Sequence, residues 1–93
     1  MQLRYGDTLY NTALLIKEGH FIYSPIVHFH PIACLHDLPR DIDFWWNISE
    51  DMIRKADAFW VLKLTGWDNS IGVMRETVLA TDLGLPIRYI EPA

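Results

Sequence analysis

The chain has 93 residues, 51% of them hydrophobic, 13% aromatic and 22% charged, with a formal net charge of −4; this profile excludes a disordered chain and a multi-domain one and leaves a single domain over residues 1–93. The basic residues are scattered along the sequence, which argues against the clustered Lys and Arg that grip nucleic acid or an anionic membrane. No apolar run reaches the roughly 20 residues needed to span a bilayer and no signal-type stretch follows Met1, so the sequence reads as cytoplasmic. Cys34 is the lone cysteine and can form no internal disulfide. A small core must then supply the stability, and a partner subunit is expected.

In chain order, Asp7 to Glu18 predicts a helix with Leu9, Ala13 and Ile16 on one side, stopped by Gly19. His20 to Ile26 is aromatic, β-branched and closed by a proline, the pattern of a short buried strand. Val27 to Arg40 holds three histidines and two prolines without a clear period, which predicts a long surface loop. From Asp41, the spacing of Ile42, Trp45, Trp46, Met52, Ile53 and Ala56 predicts an amphipathic helix whose buried stripe is interrupted by Ser49. Ala58 to Leu64 is apolar almost throughout, as in a parallel strand covered on both faces. A turn-rich stretch from Thr65 to Ser70 leads to a helix from Ile71 to about Gly84, and Pro86 to Ile90 forms a last strand. This order predicts an α/β fold of the Rossmann-like, flavodoxin-like kind, a three-layer parallel sheet with helices on both faces.

Ligands of open α/β sheets bind at the carboxyl ends of strands, which directs attention to the loop Gly66-Trp67-Asp68-Asn69-Ser70-Ile71-Gly72. A serine hydroxyl, a glycine that lets a ligand approach the backbone, and the free N–H groups of a helix start together suit a phosphate or carboxylate. The alternative is that Asp68, Asn69 or Ser70 caps the helix and Gly72 permits packing. Glu76 falls on the stripe shared with Leu79, Ala80 and Leu83. It is either an acid favoured by the helix macrodipole or a nucleophile reaching a ligand at the helix start. Trp67 is the one tryptophan placed to stack on a base, whereas Trp45, Trp46 and Trp60 read as core.

His28 and His30 form an H-x-H pair whose rings would project together from an extended segment. With His36 they define a weaker metal reading, and contact with substrate or flanking backbone is the default role for these loop histidines. Cys34 reads as a small buried hydrophobe.

Several segments together resemble the nucleoside 2-deoxyribosyltransferase-like superfamily. They are Ser24 to Pro31, Asp57 to Leu62, Gly66 to Glu76, and Ala80 to Ile87, the last containing Gly84-Leu85-Pro86. The resemblance implies a nucleoside or nucleotide substrate, with Glu76 as the nucleophile at C1′ and Ser70 and Gly72 at the sugar or its 5′-phosphate. It implies no cofactor, in the manner of a retaining glycosidase. Two departures stand out. Counting back eight positions from Asp57, where relatives carry an acid, gives Ser49. Relatives also begin with a strand and loop ahead of the first helix, whereas this sequence starts at that helix; a gene start placed too late, a domain trimmed from a longer protein and a true short form completed by self-association are the alternatives, and the short form is expected to be oligomeric and weakly active. A module of the same fold that binds nucleotide derivatives without turnover is the alternative.

Overall fold

The computed structural model describes the backbone of residues 2–93 and the side chains of residues 5–93. They divide into two compact units, residues 2–41 with Ala93, and residues 42–92.

The first unit pairs two helices, α1 (Gln2–Lys17) and α2 (Pro25–His36). α1 ends at Gly19, whose φ of 99° lies in the left-handed region open to glycine, and His20 N–H closes the end on the Leu15 carbonyl at 3.2 Å. The expected apolar stripe of α1 is not its buried side. Asn11 and Thr12 are buried, while Leu9 and Ile16 are 44% and 52% exposed. Asn11 tolerates burial because its side-chain amide donates to the Asp7 carbonyl at 2.9 Å.

The expected strand from His20 to Ile26 does not form. Residues 20–24 make no ladder, and α2 begins at Pro25. Proline is preorganised for the first helical position, where its missing N–H is not needed. β-branched residues without an adjacent strand edge gain nothing from an extended form. The loop expected over Val27–Arg40 is likewise mostly helix, with Pro31 inside it. An interior proline removes one helical hydrogen bond and costs about 3 kcal/mol, which is why the sequence pattern argues for a loop. Contacts with α1 and burial of His30 and Ala33 hold the helix instead.

In the second unit α3 (Ile42–Arg54) is followed by β1 (Phe59–Leu62), α4 (Ile71–Asp82) and β2 (Ile87–Ile90). α3 is strongly amphipathic and buries Trp45, Ser49 and Ile53 at helical spacing. β1 and β2 pair in parallel, Phe59 opposite Ile87 through Leu62 opposite Ile90, joined by α4 as a crossover helix. α4 packs on β1 and on α3. The buried centre is Trp45, Ile53, Val61 and Ala80.

The three-layer Rossmann-like sheet is therefore corrected to a two-stranded parallel sheet among the described residues. A parallel sheet grows only where a strand finds a partner's N–H and C=O groups. Here β1 and β2 pair with each other, and the third expected segment has become coil and helix. No helix of the described residues is long and apolar enough to cross a membrane.

Candidate active site

β1 leads into α4 through a tight chain reversal. Gly66 adopts φ 86°, a conformation that L side chains rarely take, so glycine is required here. Trp67 N–H donates to the Leu64 carbonyl at 2.9 Å, and Trp67–Asn69 makes a single 3₁₀ turn. Ser70 then caps α4, its Oγ accepting from Val73 N–H at 3.2 Å. The capping role expected of this loop is thus realised by Ser70, whose hydroxyl proton remains available to a ligand. Replacing it, Ser70→Ala, is expected to cost about 1 kcal/mol, read as a lower urea midpoint at unchanged slope.

An open groove of about 340 Å³ runs along this end of α4, lined by Trp67, Asp68, Ser70, Thr77, Thr81 and Tyr89 among others. The rings of Trp67 and Tyr89 lie 5.5 Å apart. Lys63 Nζ sits 5.9 Å from the Trp67 ring and is held by Glu91 Oε1 at 2.8 Å. Thr77 and Thr81 donate their hydroxyl protons to the Val73 and Thr77 carbonyls at 2.7 and 2.8 Å, leaving only oxygen lone pairs for the groove. Sequence reasoning missed Thr77, Thr81 and Tyr89. The four-residue spacing of Val73, Thr77 and Thr81 on one helix face was the available signal.

Glu76 is not in this groove. It lies six residues past Ser70, about 240° around the helix from it, whereas Thr77 and Thr81 return to the Ser70 side. Gly72 is on the Glu76 side, where a Cβ would stand in ordinary van der Waals contact, 3.5 Å from Ile42 Cδ1 of α3, so packing space does not require glycine at this position. The neighbouring Arg75 is taken up by α3, donating to Asp43 Oδ1 at 2.7 Å with its guanidinium 4.2 Å from the Trp46 ring centre.

Glu76 itself is half-buried and has no cation or hydrogen-bond donor among the described residues. Burial alone pushes its carboxyl up from the ordinary 4.5 to about 7, because water stabilises the carboxylate and a partly dry site does not. Ser49, on the buried side of α3, holds the position where the resemblance places an acid.

His28 and His30 belong to the first unit. On a helix, two residues apart means about 200°, so the expectation that both rings project together is corrected. His28 is exposed with its ring 5.6 Å from Tyr23, and His30 is buried. No group of three His, Cys, Asp or Glu side chains suited to a metal occurs among the described residues.

The second unit thus defines a small βαβ element with a capped helix start, an aromatic groove on one side of the helix and a solitary carboxyl on the other. A family model described as a domain of unknown function, DUF1937, matches residues 2–91, and the chain belongs to that family. The chain matches no curated protein and no solved structure.

Proposed function

We propose that this protein cleaves or exchanges the N-glycosidic bond of a nucleoside or nucleotide, with Glu76 as the nucleophile at C1′. The observation that carries the reading is the solitary, half-buried Glu76 carboxyl one to two turns into a helix that follows a β-strand and a Ser-capped loop. Structural acids on buried stripes are paired or hydrogen-bonded, and an unpaired one marks a site of chemistry. The carboxylate captures the oxocarbenium-like sugar centre, the base departs, and water or a second base collects the sugar. The free amides at the start of α4 suit the 5′ end, while Trp67 and Asp68 lie with the groove on the other side of the helix. This displacement uses no metal or cofactor. The cytoplasmic reading of the sequence goes with a nucleoside pool, and the exposed Leu9, Ile16 and Ile71 favour a homo-oligomer.

The test is to incubate the protein with deoxynucleosides and their 5′-monophosphates and follow free base by chromatography. A nucleophile must be ionised, so base release is expected to rise with pH through about 7, following the Glu76 carboxyl. A rate that falls through the same range assigns Glu76 as a general acid instead. A new nucleoside formed in the presence of a second base identifies transfer.

A second reading is a nucleotide-derivative binding module without turnover. It is favoured by the groove's position on the side of α4 away from Glu76, and by Ser49 where a helper acid is expected. Ligand-dependent thermal stabilisation without product would support it.

A further inference from the structure

Cys34 lies on the exposed side of α2, one turn after His30. The His30 side chain is only 7% exposed, and its Nε2 lies 3.6 Å from Cys34 Sγ. Its ring is stacked on Tyr5 of α1 with centroids 4.4 Å apart and planes inclined by 27°. Its other nitrogen, Nδ1, is buried with no hydrogen-bond partner among the described residues. Among the described residues the thiol is therefore the one hydrogen-bond partner of this buried ring.

A dry, unpartnered ring nitrogen is unfavourable, and a group kept in that state calls for a reason beyond packing. An imidazole can hold its one proton on Nδ1 and present the Nε2 lone pair to a thiol. Stacking on Tyr5 and burial fix the ring's direction, while Cys34 is an exposed residue. That is the arrangement of a nucleophile with its base, on a helix where the i, i+4 spacing brings the two together.

We propose that Cys34 is a nucleophilic thiol served by His30 as general base, and that it is a site of thiol–disulfide exchange with small disulfides. His30 Nε2 takes the proton from Sγ, and the thiolate attacks one sulfur of R–S–S–R. The Cys34–S–S–R bond forms as the S–S bond of the reagent breaks, and the departing thiolate takes the proton back from the imidazolium. The small disulfide is reduced by one thiolate equivalent as Cys34 is oxidised into the mixed disulfide. With a single cysteine in the chain, no second thiol of the same chain can release the adduct, which persists until an external thiol reverses it.

The experiment uses the full chain with an aromatic disulfide that liberates a coloured thiolate, and with oxidised glutathione read by intact mass. At pH 7 the folded chain is expected to react at least about tenfold faster than the same chain unfolded in urea, because general-base assistance outweighs partial shielding. His30→Phe keeps a ring against Tyr5 and removes the base. Its rate is expected to drop about tenfold at pH 7 and to approach that of the parent in more alkaline solution, where hydroxide takes the place of the general base. Cys34→Ser should acquire no mass. A folded chain that reacts no faster than the unfolded one overturns the proposal, as does a folded His30→Phe protein with an unchanged pH profile. If His30→Phe fails to fold, the folded-to-unfolded comparison on the parent chain decides alone.

Discussion

Glu76→Gln is expected to abolish base release and, at pH 8, to make the protein more stable. The first effect follows from the role of nucleophile proposed for Glu76. The glutamine amide has no anionic oxygen to bond C1′, and the loss of an essential group of this kind lowers turnover by about a thousandfold or more. The second follows from the carboxyl that burial pushes from 4.5 to about 7. Between those values the unfolded chain has released the Glu76 proton while the folded chain still holds it, so folding is coupled to proton uptake and stability falls as pH rises. Below pH 4.5 both states are protonated and the group costs nothing. Above pH 7 the folded state carries a carboxylate in a partly dry site, at a cost of about 3 kcal/mol.

The amide of the variant does not titrate, so the difference between the two proteins should be flat near pH 4 and open in favour of the variant up to pH 8. Urea denaturation of both proteins at pH 4, 6 and 8 measures it directly. Parallel stability curves across that range would show that Glu76 is not held protonated by the fold. Loss of activity together with gained stability at pH 8 is the signature of a residue kept for chemistry at the expense of folding.

Trp45→Ala should be the most destabilising single change in the second unit. Trp45 is 7% exposed and packs edge-on to Phe44 with ring centroids 5.3 Å apart. Truncating a buried Trp leaves a large cavity and costs about 3–5 kcal/mol. A domain of this size has about 5–14 kcal/mol in all. The other buried apolar residues of this unit are Ile53, Val61 and Ala80, which form too small a cluster to collapse around the void. A fall in melting temperature on the order of 15 °C or more is expected. Trp67→Ala provides the contrast, since Trp67 is only half-buried beside the groove; it should move stability by about 1 kcal/mol or less. Comparable losses from the two substitutions would contradict the placement of the core on α3.

The second unit was legible because its signals are local. The alternation of Trp45, Ser49 and Ile53 marks a helix face. The apolar run at Phe59–Leu62 marks a strand, the Ser70 cap opens α4, and Pro86 introduces β2. Each element appears within a few residues of its expected bounds, and the two strands pair in parallel as expected of a crossover. The loop before α4 and the solitary acid on its buried stripe were also visible from spacing. Spacing did not show that Glu76 and the groove occupy different sides of that helix, because a candidate-site pattern records residue types and order, whereas a groove is made by neighbours from β2 such as Tyr89.

The amino-acid sequence by itself determined where chains of strong local preference begin and end: the glycine turn at Gly66, the serine cap at Ser70, and the amphipathic stripe of α3. Only the tertiary structure decided the state of residues 20–36. That stretch carries β-forming residues, prolines and histidines whose local preferences conflict, and such a segment takes the conformation its neighbours can satisfy. Among the described residues β1 and β2 pair only with each other, α1 offers this stretch a surface to pack on, and Pro25 is well suited to open a helix. The same packing buries His30 beside Cys34, turning what the sequence presents as a surface H-x-H pair into one exposed histidine and one enclosed base.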